Sequence, residues 1–432
     1  MVYNIVMSDL KNIIKKILPK PLINLRHLFF AWWGSVVYHN PSEEIFVIGI
    51  TGTSGKSSTA YFLRQILESA GIIVGSLSTI DFYIAGKNQL NDQKMTMLGR
   101  MQIQKYLRQM VGAGCQVAIV ETTSEGAVQS RHRFINYDTI ILTNLYPEHI
   151  ESHGSFENYK KAKLGIFEYV ANQKLKKKSF GLNIENKKNG KILKTAIVNG
   201  DCEYANEFLN FSFGKKITFS SADSLPSTVY GEHNAQNIAA AATAAKTVGV
   251  SSELVRSAAL KLQNPPGRIE FIKEAEKHGF KVIIDYAFEP VAIAALYATI
   301  RSIPHQRIIH VFGSTGGGRD KSRRSTVGHF VGENANICIV TDEDPYDEDP
   351  IAIMADVASA VRRAGKKDGV NLFEIKDRRK AIEKAIEIAQ SGDVVLVTGK
   401  GSEQGMVVKG KIIPWDDRRI VRDFLISYEG KK

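Results

Sequence analysis

Uninterrupted apolar runs alternate along this chain with segments in which apolar residues recur every three or four positions. The runs lack the polar–apolar alternation of half-exposed strands, which is typical of strands buried on both faces of a parallel sheet. In the first part of the chain these runs fall at 45–50, 72–84, 116–121 and 139–143. The run at 72–84 is long enough for one or two strands. Helical periodicity falls at 59–70, 100–111 and 235–248. This order predicts an α/β fold with a doubly wound parallel sheet.

A second series of strands and helices begins after Asn264-Pro265-Pro266-Gly267, a turn whose prolines and glycine break regular structure. Its strands are predicted at 281–285, 307–312, 336–341 and 393–398. We therefore expect a short apolar and basic segment (1–44), a central parallel-sheet domain (45–266) and a Rossmann-like C-terminal domain (267–432).

A glycine-punctuated turn follows the first predicted strand and opens a helix. It reads Thr51-Gly52-Thr53-Ser54-Gly55-Lys56-Ser57-Ser58. The two glycines allow successive backbone N–H groups to converge on a phosphate, Lys56 adds a mobile positive charge, and the Ser57 hydroxyl can bind a magnesium ion held by the phosphates. The turn therefore predicts a P-loop that binds ATP and Mg²⁺, although Ile50 stands where such loops usually carry a small residue.

Polar residues also end the neighbouring strands of the first sheet. Glu121 ends one strand, Asn144 follows another, and His149 lies in the loop after it. Ligands of such sheets bind at the carboxyl ends of the strands, so these residues should lie beside the P-loop. A carboxylate there can hold a magnesium ion. The imidazole of His149 is a less usual ligand of this hard cation, and a structural histidine is the alternative.

Composition and charge describe an ordinary globular protein. Hydrophobic residues make up 44% of the chain, charged residues 24%, and the formal net charge is +12. Part of that charge is concentrated at 174–194, where a solvated surface loop is favoured over a nucleic-acid patch because no nucleic-acid motif accompanies it. The lysines of this cluster are Lys176, Lys177, Lys178, Lys187 and Lys188.

The cysteines and the N-terminus indicate a cytoplasmic location. Cys115, Cys202 and Cys338 show no CxxC spacing, and the first and last lie in or beside apolar runs, so we expect free thiols in a reducing compartment. The N-terminal segment shows no small-residue cleavage site, and the P-loop follows it closely, which argues against export.

An apolar run at 28–38 contains Trp32 and Trp33 and follows several basic residues. The run is too short to cross a bilayer as a helix. Packing against the body of the protein is the first interpretation. The second is an interfacial helix that places residues 11–38 in peripheral contact with a membrane.

Taken together, these residues resemble the Mur ligases, ATP-dependent amide-forming enzymes of peptidoglycan assembly. The similarity extends from about Ile45 to the C-terminus and, within the family, is strongest to the enzymes that add the third peptide residue. Besides the P-loop it rests on Thr143-Asn144-Leu145 with His149 and His153-Gly154, Tyr159-Lys160-Lys161-Ala162-Lys163, Gly231-Glu232-His233-Asn234-Ala235-Gln236-Asn237, Pro266-Gly267-Arg268, Asp285-Tyr286-Ala287, Gly318-Arg319-Asp320-Lys321 and Gly399-Lys400-Gly401.

The resemblance implies roles for individual residues. Lys163 matches a lysine that is carbamylated in these enzymes to form a metal-binding carboxylate. The expected catalytic residues are Lys56, Glu121, His149 and carbamylated Lys163, and the expected metal ligands are Ser57, Glu121, His149 and Lys163. The expected ATP contacts are Gly52, Thr53, Ser54, Gly55, Lys56, Ser57, Ser58, Asn144, Asn234, Asn237, Arg268, Asp377 and Arg378. The expected muramoyl-peptide contacts are Thr96, Thr123, Gln129 and Arg131, and the expected amino-acid contacts are Arg319, Glu343, Asp344, Tyr346, Gly399 and Glu403.

The implied reaction joins an amino acid to a muramoyl peptide. ATP phosphorylates a substrate carboxylate, and the amine of the amino acid then displaces phosphate from the acyl phosphate. The acceptor-selecting motif, Asp-Asn-Pro-Arg in diaminopimelate enzymes, reads Glu343-Asp344-Pro345-Tyr346 here. With the arginine replaced, and with Asp347 and Glu348 nearby, the segment favours a cationic side chain such as that of lysine or another diamino acid. A solvated acidic loop is the alternative.

Two other functions remain open. The family carries an N-terminal domain of roughly 100 residues for the UDP moiety, whereas 44 residues precede the first predicted strand here. Folylpolyglutamate synthetases also lack that domain, although Arg319-Asp320-Lys321 and Asp285-Tyr286-Ala287 favour the muramoyl-peptide enzymes. The other rival is a nucleotide-binding partner subunit that has lost ligation, against which the intact Lys56, Glu121, His149 and Lys163 argue.

Overall fold

The computed structural model describes residues 20–91, 93, 95–148, 153–318 and 321–428. These residues form two compact units. The first comprises the described residues of Met1–Gln89, Met95–Asp223 and Ala239–Val255, and the second those of Leu90–Lys94, Ser224–Ile238 and Arg256–Lys432. The domain limits expected after residues 44 and 266 stay predictions.

Helices occupy the intervals between most strands, as the periodicity predicts. They are α1 (Lys20–Val37), α2 (Lys56–Ser69), α3 (Arg100–Gly112), α4 (Ser124–Val128), α5 (Phe156–Ala171), α6 (Ala205–Leu209), α7 (Glu232–Thr247), α8 (Ser252–Ala259), α9 (Pro290–Arg301), α10 (Ser322–Asn334), α11 (Pro350–Arg363), α12 (Arg378–Ile388) and α13 (Asp417–Ser427). Short 3₁₀ turns lie at Pro41–Glu43, Ser221–Asp223 and Lys273–His278.

The first unit is built on a mostly parallel sheet. Its strands are β1 (Phe46–Thr51), β2 (Val74–Leu77), β3 (Asp81–Ile84), β4 (Lys87–Leu90), β5 (Val117–Glu121), β6 (Thr139–Leu142), β9 (Thr195–Asn199) and β10 (Lys215–Phe219), and a separate small hairpin holds β7 (Lys187–Lys188) and β8 (Lys191–Ile192). Among the described residues the strand order is β10-β9-β6-β1-β5-β2-β3-β4. All six residues of β1 are buried between its parallel neighbours β5 and β6. The register pairs Ile50 with Glu121 and Thr51 with Leu142, so these three strands end at one edge.

The second unit carries its own parallel sheet. Its strands are β11 (Glu270–Phe271), β12 (Lys281–Asp285), β13 (Ile308–Phe312), β14 (Ile337–Val340), β15 (Leu372–Glu374) and β16 (Val394–Thr398), and β17 (Gly405–Val408) pairs separately with β18 (Lys411–Pro414). Within the described part of the chain the order is β11-β12-β16-β13-β14-β15, with β11 antiparallel to its neighbour. The expectation of two α/β parallel-sheet units is thus confirmed.

Buried thiols and an apolar core also agree with the sequence. Cys115 and Cys338 are buried, Cys202 is half-buried, and all three are free. The apolar strand residues of both sheets pack into buried cores.

The N-terminal helix α1 packs against α3. Ala31 and Ser35 are buried, and a Cβ atom on Gly34 would lie 3.1 Å from the Cα of Met101. Arg108 donates from Nε to the carbonyl of Tyr38 at 3.0 Å, which fixes the end of the helix. Packing against the body of the protein is therefore confirmed for this helix. Among the described residues, no helix combines the length and apolarity that crossing a bilayer requires.

The lysine-rich stretch is not wholly a solvated loop. Lys177, Lys178, Lys187 and Lys188 are exposed, but Lys176 is buried and its Nζ lies 2.5 Å from Asp138 Oδ2. Lys194, also buried, lies 3.6 Å from Asp138 Oδ1. The expectation was therefore wrong for Lys176, because charge density along the sequence does not reveal a buried carboxylate that compensates it.

This buried cluster generates a stability prediction. Removing the carboxylate in Asp138→Ala leaves two buried ammonium groups without their counter-charge, which should lower the free energy of unfolding by about 3–5 kcal/mol. Guanidinium chloride unfolding followed by circular dichroism measures the change. Asp423→Ala, which removes an exposed carboxylate from α13, is the matched control and should stay within about 0.5 kcal/mol of the parent. Equal midpoints for the two variants would contradict the prediction.

Candidate active site

The P-loop closes on backbone conformations that favour glycine. Gly52 has φ 151° and Gly55 has φ 78°. A Cβ atom on Gly52 would lie 1.9 Å from Thr143 Oγ1, so a larger residue does not fit there. Helix α2 begins at Lys56, immediately after Gly55, so the N–H groups of its first turn lie next to the loop. The turn therefore has the backbone of an anion cradle.

The segment after β6 braces this loop. Asn144 Oδ1 accepts from the backbone N–H of Thr53 at 3.1 Å and of Ser54 at 2.9 Å, and its Nδ2 donates to Ser54 Oγ at 3.0 Å. Thr143 Oγ1 donates to the Ser54 carbonyl at 2.6 Å. The side chain of Asn144 thus holds the P-loop, and Ser58, one turn into the helix, is buried beneath it.

Lys56 folds back over the loop that precedes it. Its Nζ donates to the carbonyls of Gly52 and Thr53, each at 3.0 Å. The ammonium group therefore lies over the turn in which a phosphate would bind, held by carbonyls that an anionic oxygen could replace.

Glu121 connects the P-loop to the expected substrate contacts. The carboxylate is buried, and its Oε1 accepts from Ser57 Oγ at 2.8 Å. Its Oε2 accepts from the backbone N–H of Thr79 at 2.5 Å and from Thr79 Oγ1 at 3.0 Å. Thr79 Oγ1 in turn lies 2.9 Å from Thr96 Oγ1. The sequence analysis did not identify Thr79 as a site residue. Thr79 lies just after β2, as Asn144 lies just after β6, so the rule that ligands bind at strand ends could have identified it.

The donors at this position suit a hard cation. Carboxylate and hydroxyl oxygens are the ligands that Mg²⁺ prefers, and Ser57 and Glu121 bring both within hydrogen-bonding distance of each other. His149 lies outside the described residues. Among those that are described, no three His, Cys, Asp or Glu side chains gather as a metal site.

Lys163 is buried beside the P-loop, and no carboxylate of the described residues pairs with it. Its Nζ donates to the Gly52 carbonyl at 2.7 Å and lies 4.6 Å from the centroid of the Tyr159 ring. Burial, and secondarily the charge of Lys56, hold the pKa of Lys163 well below its usual range. The amine is therefore disposed to be neutral, and a neutral amine is the form that can react with carbon dioxide.

Three of the four expected muramoyl-peptide contacts, Thr123, Gln129 and Arg131, follow β5. Gln129 Oε1 accepts from Arg131 Nε at 3.2 Å and from Arg131 Nη2 at 2.8 Å, and Arg131 also donates to the Met97 carbonyl. Thr123 caps α4 by accepting from the Gly126 N–H at 3.0 Å.

Next to this group, Ser124 Oγ lies 3.1 Å from His153 Nε2, a pair that the sequence prediction did not assign to the substrate. Both residues lie in the segments that follow β5 and β6, to which the rule that located Glu121 and Asn144 also applies.

The expected amino-acid contacts of the second unit surround Lys400. Its buried Nζ donates to Asp344 Oδ2 at 2.8 Å and to Glu403 Oε2 at 2.6 Å, and Asp344 Oδ1 accepts from the Val407 N–H at 2.6 Å. Asp344 thus already has a cationic partner within the protein, which it shares with Glu403.

Glu343 differs from Asp344 in this respect. Its Oε1 accepts from Thr315 Oγ1 at 2.9 Å, whereas its buried Oε2 has no hydrogen-bond partner among the described residues. Burial raises the pKa of this carboxyl. A Cβ atom on Gly399 would lie 2.2 Å from Oε2, so glycine leaves this oxygen its space. Tyr346, with φ 53°, ends the segment, and Arg319 lies outside the described residues.

The remaining expected ATP contacts form three separate sets within the second unit. Asn237 Nδ2 donates to Asn234 Oδ1 at 3.2 Å, and the Arg268 guanidinium lies 4.2 Å over the Tyr286 ring. Asp377 caps α12. Arg378 is buried in a two-point ion pair with Asp417, with Nε–Oδ1 at 2.9 Å and Nη2–Oδ2 at 2.6 Å, so its guanidinium is engaged inside the protein.

Comparison with known proteins agrees with this geometry. The Mur ligase middle domain matches residues 50–245, and the Mur ligase, glutamate ligase domain matches residues 267–401. A UDP-N-acetylmuramyl-tripeptide synthetase of Roseiflexus sp. is 31% identical over 426 residues, covering 91% of this chain and 81% of the relative. A UDP-N-acetylmuramoyl-L-alanyl-D-glutamate–2,6-diaminopimelate ligase of Clostridium botulinum is 30% identical over 407 residues, with the same two coverages.

Among solved structures, the folylpolyglutamate synthase of Mycobacterium tuberculosis complexed with ADP and AMPPCP has a TM-score of 0.67. At 15% identity, over 87% of this chain and 93% of that one, it shows a shared fold alone. The two matched domains and the two relatives go further. This chain belongs to the Mur ligase family of ATP-dependent, ADP-forming acid–amino-acid ligases.

Proposed function

We propose that this ligase adds the third residue to a muramoyl peptide, joining the amine of an amino acid to the carboxylate of a muramoyl-dipeptide-type substrate in peptidoglycan precursor synthesis. The observation that carries the proposal is the position of Glu121. One of its oxygens contacts Ser57 of the P-loop, and the other reaches Thr96, an expected muramoyl-peptide contact, through Thr79. Nucleotide and substrate carboxylate would therefore meet in one unit.

The chain's own residues account for the phosphoryl transfer. The Gly52–Gly55 turn and the first N–H groups of α2 would bind the transferred phosphate, and Lys56 would neutralise part of its charge. The substrate carboxylate oxygen forms the new bond to phosphorus as ADP leaves. The amine then attacks the acyl carbon, loses a proton and displaces inorganic phosphate.

Residues around the P-loop would hold the metal. Ser57 and Glu121 present oxygens, Lys163 would add two more as a carbamate, and His149 is the fourth proposed ligand. Bound Mg²⁺ supplies charge neutralisation on the phosphates. In the proposed nucleotide set, Asn144 braces the loop, while Asn234, Asn237, Arg268, Asp377 and Arg378 belong to the second unit.

For the amino acid we propose lysine or another diamino acid. Tyr346 stands where diaminopimelate enzymes carry arginine, so a second carboxylate would lack that partner. Asp344 is neutralised by Lys400, and Glu348 pairs with Arg324 at 2.8 Å. The loop as a whole therefore offers less negative charge than its composition suggests. Glu343, with one oxygen lacking a partner among the described residues, is the carboxylate that supports the proposal.

The proposed partners are small molecules, the muramoyl peptide and the amino acid, without nucleic acid, and the proposed location is the cytoplasm. We also propose a peripheral membrane contact through residues 11–38, of which 11–19 lie outside the described part of the chain.

A folylpolyglutamate-type ligase and a non-ligating partner subunit are the competing functions. Phosphate release separates them: it requires a muramoyl dipeptide with an amino acid, requires folate with glutamate, or occurs with neither.

Lys56→Ala should reduce ligation at least about a thousandfold, because the transferred phosphate loses a positioned charge. The fold should be retained, since Lys56 is only half-buried and its Nζ donates to carbonyls of the loop. Phosphate release and circular dichroism measure the two effects. Lys105→Ala, at an exposed position of α3, is the matched control and should match the parent. Retained turnover in Lys56→Ala would contradict the assignment of the P-loop as the phosphate site.

Lys163→Ala should lose most activity and regain part of it when short carboxylic acids such as acetate are added, since they can replace the carbamate oxygens. Lys161→Ala, an exposed lysine of the same helix, should need no rescue. Full activity of the parent enzyme in buffer stripped of carbon dioxide, together with no rescue of Lys163→Ala, would reject carbamylation.

Competition between lysine and diaminopimelate tests the acceptor. Mass spectrometry of the product should show lysine preferred, and Glu343→Gln should reduce that preference about tenfold or more, because one charge facing the acceptor is lost. Asp347→Asn, an exposed position of the same loop, should leave the preference unchanged. A product mixture dominated by diaminopimelate would defeat the acceptor assignment.

A further inference from the structure

Helix α1 is apolar on two opposite sides. The inner side, at Ala31, Gly34 and Ser35, packs against α3. The outer face consists of Leu22, Leu25, Phe29, Trp32, Trp33 and Val36, whose side chains are between 42% and 63% exposed. A surface helix normally turns polar residues to water, and a helix that is apolar all round is normally covered on all sides.

The aromatic rings of the outer face form one continuous surface. The ring centroids of Phe29 and Trp33 lie 6.4 Å apart with nearly parallel planes, and those of Trp32 and Trp33 lie 6.0 Å apart. Phe29 and Trp32 are 5.9 Å apart. Contiguous apolar patches of this kind mark a surface that binds something, unlike single exposed apolar residues.

The charges of this segment point to an anionic partner. Residues 10–42 contain no Asp or Glu and five Lys or Arg, namely Lys11, Lys15, Lys16, Lys20 and Arg26. Two copies of the chain joined through this face would add their positive charges to each other, which opposes a dimer. A bilayer with anionic headgroups instead attracts the cations, while tryptophan and phenylalanine side chains suit the boundary between headgroups and acyl chains.

The positive charge extends from α1 toward the expected substrate contacts. Arg100, the first residue of α3, donates from Nε to the Gln129 carbonyl at 2.8 Å, while its buried Nη2 has no partner among the described residues. Burial, followed by the charges of Arg131 and Arg26, lowers the pKa of Arg100 to about 10. The Arg100 guanidinium is therefore repelled by two neighbouring arginines, and a phosphate-bearing surface would relieve that repulsion.

We propose that the outer face of α1 lies in the plane of an anionic membrane surface and holds the ligase there. This deepens the membrane contact named under the proposed function and rests on that function for the reaction performed at the surface. The muramoyl-peptide contacts at Gln129 and Arg131 would then face a substrate presented near the headgroups.

Vesicle flotation tests the proposal on the full chain. Vesicles of phosphatidylcholine containing about one third phosphatidylglycerol should carry the protein, and pure phosphatidylcholine vesicles about tenfold less, because each cation near the surface contributes to binding. The triple variant Phe29→Gln, Trp32→Gln, Trp33→Gln should reduce flotation about tenfold or more. The matched control Val370→Gln, Ile412→Gln, Ile413→Gln removes three exposed apolar side chains of the second unit and should float like the parent.

Tryptophan fluorescence gives a second readout. The chain has three tryptophans, and Trp415→Phe leaves Trp32 and Trp33 as the only reporters. Their emission should shift to shorter wavelength on anionic vesicles and should be quenched by lipids brominated in the acyl chain. An unchanged spectrum, or equal flotation of the triple variant and its control, would overturn the proposal.

Two further measurements show whether the membrane proposal or the proposed function has failed. If the parent does not float but light scattering shows a dimer that the triple variant abolishes, a second copy covers the face and the membrane proposal is overturned. Phosphate release with a water-soluble muramoyl dipeptide should be the same for the parent and the triple variant. Flotation without ligation in the parent would reject the proposed function and leave the membrane contact supported.

Discussion

The parallel register of three central strands is the constraint on which the candidate site depends. β1, β5 and β6 end side by side, so the residues that follow them share one edge of the sheet. The P-loop turn, the Glu121 carboxylate and the Asn144 amide meet there although about 90 residues separate the first from the last. Because side chains alternate between the two faces of a strand, a slip of one residue would exchange them between two closely packed faces, so these buried strands have little freedom to slip. The rigid sheet therefore holds the site residues in fixed positions relative to one another.

Three buried lysines show how the surroundings decide what a lysine does. Lys176 compensates Asp138, and Lys400 compensates Asp344 and Glu403. Both therefore have carboxylate partners whose attraction offsets the free-energy cost of burying a charge. Lys163 instead donates to a backbone carbonyl, and the charge that acts on it is that of the cation Lys56. Burial without a counter-charge favours the neutral amine, which gives Lys163 a chemistry that the other two do not share.

The second unit shows the same principle at the acidic loop. Consecutive carboxylates in a sequence suggest a concentrated negative charge, but Lys400 and Arg324 neutralise two of them within the fold. Glu343 differs from them: one of its oxygens has no hydrogen-bond partner among the described residues, and Gly399 leaves room beside that oxygen. Selectivity for an amino acid would then depend on one carboxylate and its surroundings rather than on the net charge of the loop.

The sequence by itself determined the strand and helix order, the two α/β units, the P-loop and the family, because periodicity and short motifs are local properties that burial enforces in every strand and turn. It also located Glu121 and Asn144 through the rule that ligands bind at strand ends. The tertiary structure alone decided which charges are paired: Lys176 with Asp138, Lys400 with Asp344, and Arg378 with Asp417. It also decided that Thr79 links Glu121 to Thr96 and that α1 keeps a second apolar face exposed. These facts depend on contacts between residues distant in the chain, and neither the spacing nor the composition of a segment records which distant residue will face it.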